Sequence, residues 1–206
     1  MRLNKSHLPF IAWLACFYTG WIILVIAGDH LQTVLAHWPM AIAMAAGSYV
    51  AGSTPMGGGT VGFPVLVLLM DLPATLGRDF SFAIQAVGMT SASIYILCSR
   101  TELEWPMLRA ALPGVLLGTP LGILFVAPLA TDLFIKLLFA AMWCSFGLLH
   151  LRRINEISSY VGMTPHDTSF DYKVGFIVGL FGSLTIASIT GVGIDMMIYM
   201  VLVLWC

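Results

Sequence analysis

Charged side chains are scarce in this sequence, and their scarcity determines the class of protein. Only 9% of the 206 residues are charged, whereas 59% are hydrophobic and the mean hydropathy is +0.95. A soluble domain averages about 25% charged residues, so this chain has too little polar surface to remain in water. The composition predicts an all-α polytopic membrane protein whose main partner is the lipid bilayer.

Other residue types lack the arrangements that define common functional classes. Nine basic and ten acidic residues nearly cancel, which gives no basic surface for nucleic acid. The four cysteines form no C-x-x-C pair, and we expect them to be buried as small apolar side chains. No two histidines are four residues apart, and no nucleophile, histidine and acid share a predicted site. We therefore expect no metal, no cofactor and no enzymatic activity.

Long apolar runs follow one another along the chain. The first has 21 residues without a charge, and a full membrane span needs about 20. We expect this run to be retained as an extra span rather than removed as a signal peptide. Counting the shorter runs as arms of a hairpin predicts about seven to eight helical spans or half-spans. The runs are 8–28, 38–52, 61–70, 80–98, 106–127, 133–150 and a last one from residue 172.

The stretch 53–64 separates two of these runs with four glycines and two prolines. Both residue types weaken a helix, and a break at membrane depth is tolerated only where the backbone is buried in protein or lines a wet cavity. Transporters hold anions at such breaks with free backbone N–H groups. We expect a small anion to bind at this nest. Its members are Thr54, Gly57, Gly58, Gly59 and Thr60.

Two other interpretations of these glycines stay open. Gly57, Gly59 and Gly62 satisfy G-x-G-x-x-G, but that nucleotide-binding pattern needs a strand before it and a long helix after it, and here Pro64 follows at once. The glycines also fit close packing between helices, which needs no ligand.

Asp195 differs from the other nine acids because it alone lies within an apolar run, just after Gly191 and Gly193. A carboxylate inside the membrane is costly and by default functional. Proton coupling is one use, because burial disfavours the charged form; capping the helix that follows is the other.

Gln85 lies with Ser81 on one face of the run 80–98, and that face is expected to line a pathway or to hydrogen-bond a neighbouring helix.

Lysine and arginine place the N-terminus and the polar loop 151–171 in the cytoplasm. If the hairpin crosses the membrane twice, seven basic residues lie inside and two outside. The inside residues are Arg2, Lys5, Arg100, Arg109, Arg152, Arg153 and Lys173; the outside residues are Arg78 and Lys136. The loop divides the chain into an extra span (1–35), a first repeat (36–150), the loop itself (151–171) and the start of a second repeat (172–206). Five crossings separate the two glycine breaks, which makes the second repeat inverted.

The residues around both breaks resemble the sulfite exporter TauE/SafE family, also called the toluene sulfonate uptake permease superfamily. The resemblance covers roughly 36–206. Met56 stands where the family often has glycine, and the second repeat lacks a third glycine and stops early, as in a truncated copy. The matching residues are Gly57, Gly58, Gly59, Pro64, Gly191, Gly193 and Asp195.

The resemblance implies a secondary carrier of sulfite, sulfonates or related organic anions in the inner membrane of bacteria. Protons are candidate coupling ions, and a homo-oligomer is a candidate assembly. The alternative is a membrane scaffold or assembly subunit without transport activity, in which the glycines serve only to pack helices.

Overall fold

The computed structural model describes residues 7–54, 56–159 and 168–204, and every regular element within them is helical. Five helices are long and apolar enough to cross a membrane, which confirms the helical membrane protein that the composition predicts. These are Leu8–Ala27, Ala74–Ser99, Trp105–Leu129, Asp132–Asn155 and Ser169–Thr190. Some predictions fall outside the described residues. They concern Arg2 and Lys5, which are predicted to be cytoplasmic, the middle of the predicted loop, and the last two residues.

The helices are separated mostly by short turns. In chain order they are α1 (Leu8–Ala27), α2 (Leu31–Ala36), α3 (Trp38–Ser53), α4 (Gly59–Pro64), α5 (Ala74–Ser99), α6 (Trp105–Leu121), α7 (Asp132–Ser159), α8 (Thr168–Gly182), α9 (Ser188–Thr190) and α10 (Ile194–Leu204).

Widened π-helical turns continue three of these helices. They cover Val65–Leu69 after α4, Gly122–Val126 after α6 and Ser183–Ala187 after α8. Pro64 precedes the first turn and Pro120 lies two residues before the second. Proline has no N–H to donate and its ring crowds the preceding turn, so a widened turn is a natural continuation at both places.

Two helices extend beyond the predicted apolar runs. Helix α5 begins at Ala74, before the run 80–98, and α7 continues through residues 151–159, the first part of the predicted loop. A helix can extend beyond an apolar run, because its backbone hydrogen bonds do not depend on apolar side chains. Cys16 and Cys144 are exposed, so they are not the buried packing residues expected from the sequence.

The buried core joins α7 to the segment after the first break. Phe63 stacks on Phe139 with ring centroids 4.4 Å apart, and Phe139 stacks on Trp143 at 4.2 Å. Both phenylalanines are buried, together with Val67 and Ile135. Helix α7 thus packs against the C-terminal end of α4 and against the π turn that follows it.

Helices α6 and α8 touch along their backbones. A Cβ atom on Gly179 would lie 2.5 Å from the carbonyl oxygen of Ala111, and one on Gly175 would lie 2.5 Å from that of Met107. On the α6 side, a Cβ on Gly114 would come within 2.7 Å of the α8 backbone. Small residues allow helices to approach this closely in a membrane, where van der Waals packing drives helix association.

Helix α1 attaches to the C-terminal half of α5. The indole N–H of Trp13 donates a hydrogen bond to the Ser91 hydroxyl at 2.9 Å, and the His7 and Tyr95 rings stack at 5.6 Å. Val25 is the buried residue of α1, and most of its large apolar side chains are exposed. Such an exposed apolar surface suits contact with lipid.

Asp132 is expected to stabilise the start of α5. Its Oδ1 accepts a hydrogen bond from the Ala74 backbone N–H at 2.8 Å, so it caps a helix that has no capping side chain of its own. Removing a cap costs about 1 kcal/mol, so Asp132→Ala should lower the thermal unfolding temperature measured in detergent. Asp132→Asn keeps an acceptor oxygen and should lose less. Equal stability of the alanine variant and the wild type would contradict this role.

Candidate functional site

The first helix break is a tight turn made by three consecutive glycines. Helix α3 ends at Ser53 and α4 begins at Gly59. The Thr60 N–H donates to the Gly57 carbonyl at 3.0 Å and the Val61 N–H to the Gly58 carbonyl at 3.2 Å. The Thr60 hydroxyl also donates to the Gly57 carbonyl. These bonds orient the start of α4 but do not use the N–H groups of Gly57, Gly58 and Gly59.

The second break depends on glycine for its backbone conformation. Gly191 has φ +79° and Gly193 has φ +115°, a region that L side chains rarely adopt. The Gly191 N–H closes the preceding helix by donating to the Ala187 carbonyl at 2.7 Å, and the Thr190 hydroxyl donates to the Val192 carbonyl at 2.9 Å. Helix α10 starts directly afterwards, at Ile194.

Gln85 joins the two breaks. Its side-chain Nε2 donates a hydrogen bond to the Gly191 carbonyl at 2.9 Å. A Cβ on Gly57 would lie 2.5 Å from its Oε1, and one on Gly59 would lie 2.8 Å from its Nε2 and 2.5 Å from Val192 Cγ1. The absence of side chains at Gly57 and Gly59 therefore lets both interrupted helices and α5 meet at one place.

Asp195 lies at the same junction. Its Oδ1 accepts a hydrogen bond from the Met196 N–H at 2.9 Å, and its carboxyl is also close to the backbone amides of Gly57 and Gly193. Its Oδ2 is buried 3.1 Å from the position of a Gly57 Cβ, and no hydrogen bond of normal geometry reaches it from the described residues. The helix-cap interpretation thus explains the position of Oδ1 but gives no role to Oδ2.

An open cavity of about 690 Å³ adjoins the junction between α5, α6 and α10. Gln85 and Asp195 line one part of its wall, and Thr119 and Tyr199 supply other polar side chains. Among the described residues that form this wall there is no lysine or arginine. Gly191 and Gly193 of the second break also line it, and the rest is apolar: Phe82, Ala86, Met89, Leu108, Val115, Ala187, Val192, Ile194, Ile198 and Leu202.

A comparison with models of protein families matches residues 38–206 to the family described as Sulfite exporter TauE/SafE. The chain belongs to that family. The match begins at the first residue of α3, so α1 and α2 precede the part that characterises TauE/SafE proteins. No curated protein and no solved structure matches the chain. The family confirms the resemblance inferred from the glycine motifs and identifies a membrane transport protein rather than an enzyme at the level of the family.

Not every predicted site residue of this TauE/SafE protein faces the junction. Gly57, Gly59, Gln85, Gly191 and Asp195 are brought together there. Gly193 lines the cavity and its backbone amide is close to the Asp195 carboxyl, but the direction of a Cβ on it is away from the junction, toward Met142 and Ile186 at 3.2 Å. On Gly58, a Cβ would face Met44 and Ile84 at 3.6 and 3.8 Å, away from Gln85.

The two predicted threonines use their hydroxyl groups within the chain. Thr54 is exposed and donates to the Val50 carbonyl at 2.7 Å, whereas Thr60 is buried and bonds to Gly57. Within the described residues, no three His, Cys, Asp or Glu side chains are grouped so that they could hold a metal.

Sequence analysis missed the glycine positions that hold α6 against α8 in this TauE/SafE protein. They recur every four residues, at 114, 118 and 122 on α6 and its π turn and at 175 and 179 on α8. A small-x-x-x-small pattern in an apolar run is a readable signal of this packing. Because α6 supplies Leu108, Val115 and Thr119 to the cavity wall, the packing also positions the site.

Proposed function

We propose that this protein is a secondary transporter of small anions, with sulfite, sulfonates and related organic anions as the first candidates. One observation carries the proposal: α4 and α10 both begin at the Gln85 junction, beside a cavity. A helix N-terminus carries a partial positive charge and free N–H groups, so two of them at one place favour a negative solute. Discontinuous helices of transporters present such ends to anionic substrates.

The proposed binding residues are those of the two breaks and α5. Because lysine and arginine are absent from the described cavity wall, backbone amides would have to supply most of the positive potential. Gly193 lines the cavity, and Gly57 and Gly59 lie at the junction beside Gln85. Gln85 holds the two breaks in register, and Thr60 orients the first turn. Thr54, Gly58 and Gly191 shape the breaks in this proposal rather than contact the anion.

The membrane arrangement is part of the same proposal. The matching breaks support an inverted repeat, with the N-terminus and the region around residues 151–171 in the cytoplasm of a cell with an inner membrane. The short α3, of 16 residues, fits a half-span that ends at a break, since a full span needs about 20 residues. Protons are the proposed coupling ions, and assembly as a homo-oligomer is the proposed organisation.

Flux through proteoliposomes tests the proposal directly. Purified protein should accelerate uptake of radiolabelled sulfite, thiosulfate, methanesulfonate or toluenesulfonate above that of empty liposomes, and unlabelled substrate inside should stimulate exchange. A membrane scaffold would move none of them. Absence of protein-dependent flux for the whole panel, with protein correctly inserted, would contradict the transport function.

A further inference from the structure

The Gln85 amide has only one chemically sensible orientation. The Gly191 carbonyl can only accept a hydrogen bond, so the amide nitrogen of Gln85 must face it, as it does at 2.9 Å. The Oε1 of Gln85 is then turned toward Gly57. Reversing the amide would place two acceptor oxygens against each other at Gly191.

Asp195 Oδ2 approaches the same side of Gly57. The position of a Cβ on Gly57 is 2.5 Å from Gln85 Oε1 and 3.1 Å from Asp195 Oδ2, so both oxygens lie next to the same face of Gly57. An amide oxygen and an ionised carboxylate both accept hydrogen bonds and donate none. Asp195 Oδ2 is buried without a hydrogen bond of normal geometry, so an ionised oxygen there is unfavourable beside another acceptor unless a proton or another cation lies between them.

We infer that Asp195 carries a proton on Oδ2 that it donates to Gln85 Oε1, and that this proton moves together with the transported anion. The inference rests on the proposed transport function and specifies its coupling site. A neutral Asp195 leaves the amides at the two breaks available to a negative solute. Loss of the proton returns a negative charge to the same place, which opposes the anion.

The step balances without any further reactant. A proton from water on one side adds to the Asp195 carboxylate, and the O–H bond forms as the anion binds. On the other side the O–H bond breaks, the proton returns to water and the anion leaves. One proton and one anion therefore cross together, and the protein returns to its starting state.

Few other titratable groups face this site. Tyr199 lines the cavity one helical turn beyond Asp195, and the His150 ring of α7 stacks on Tyr199 at 5.4 Å. Near the N-terminal end of α5, Arg78 is paired with Asp79 at 2.7 Å. The described wall residues from α6 and from the segment after α8 do not titrate. His150 is therefore the residue whose contribution to pH dependence must be separated from that of Asp195.

The test measures anion binding and proton movement in three proteins. Methanesulfonate keeps the same charge across neutral pH, so its affinity reports protonation of the protein. For the wild type, the affinity should weaken toward tenfold per pH unit as the pH rises, because the binding form is the protonated one. Asp195→Asn, a permanently neutral amide with its own N–H donor, should bind with an affinity that is flat with pH. His150→Gln should behave as the wild type.

Proton movement gives the second measurement. In proteoliposomes with an internal pH dye, an inward methanesulfonate gradient should drive proton uptake in the wild type and in His150→Gln. In Asp195→Asn, methanesulfonate exchange should persist while proton uptake is lost. When sulfite replaces methanesulfonate, the anion itself carries some protons across. The proton uptake measured with Asp195→Asn gives this background, which is subtracted from the wild-type value.

Results that contradict the coupling inference differ from results that contradict the transport function. Wild-type flux without protons, flux driven by a sodium gradient, or pH-dependent binding that survives in Asp195→Asn but not in His150→Gln would overturn the inference and leave transport intact. Failure of the wild type to bind or move any anion of the panel would overturn the transport function and the inference with it. Exchange by Asp195→Asn also shows that this variant is folded.

Discussion

Replacing Gly57 by alanine is expected to reduce anion flux by roughly tenfold while leaving the protein folded. The added Cβ would lie 2.5 Å from Gln85 Oε1 and 3.1 Å from Asp195 Oδ2, so the Gln85 side chain must swing away. That motion breaks its hydrogen bond to Gly191, and one such bond is worth about 1 to 1.5 kcal/mol, or about a factor of ten. Initial uptake rates in proteoliposomes measure the effect.

Gly58 supplies the matched control for this variant. A Cβ on Gly58 would make ordinary contacts with Met44 and Ile84 at 3.6 and 3.8 Å, and it would not reach Gln85. Gly58→Ala should therefore transport at nearly the wild-type rate, although it changes the same glycine cluster. Equal losses in the two variants would mean that backbone flexibility of the cluster matters, and not the contact between Gly57 and Gln85.

Replacing Gly179 by alanine is expected to cause the largest loss of stability among single methyl additions on α8. The new Cβ would lie 2.5 Å from the Ala111 carbonyl oxygen and 2.9 Å from its Cα, and backbone atoms cannot swing aside as a side chain does. The helices α6 and α8 must separate, which costs about 1 to 3 kcal/mol by analogy with overpacked cores. Thermal unfolding in detergent, followed by the loss of monodisperse protein, measures it.

Gly147 offers the comparison for Gly179. A Cβ on Gly147 would meet nothing within 4 Å, although the residue lies within α7. Alanine has a helix propensity about 1 kcal/mol more favourable than that of glycine, so Gly147→Ala should be neutral or stabilising. A similar loss in both variants would indicate that close contact between α6 and α8 does not limit stability.

Helix α5 is the element that connects stability to the site. Asp132 caps its first turn, Trp13 of α1 bonds to its far half, and Gln85 between them reaches both breaks. A shift of α5 along its axis would therefore move Gln85 relative to Gly57 and Gly191 together. We expect variants at the Asp132 cap to alter flux through this shift, in addition to their effect on unfolding.

Residues with a strong local signal were predicted well. The interruptions before Gly59 and before Ile194 are where glycine and proline weaken a helix, and the structure breaks the helices there. Asp195 was singled out because no other acid lies within an apolar run. The positions of Thr54 and Gly58 could not be predicted from their residue types, which suit an anion-binding nest. In the structure Thr54 is exposed and bonds to Val50, and Gly58 faces Met44 of α3.

The amino-acid sequence alone determined that this is a helical membrane protein of the TauE/SafE family and where two of its helices are interrupted. Scarcity of charge and the conformational freedom of glycine act through composition and immediate neighbours, so they can be read locally. The tertiary structure alone decided that Gln85 meets Gly191, 106 residues away, and that Gly57 rather than Gly58 faces it. Such meetings depend on how separate helices pack, and no local pattern specifies which faces come into contact.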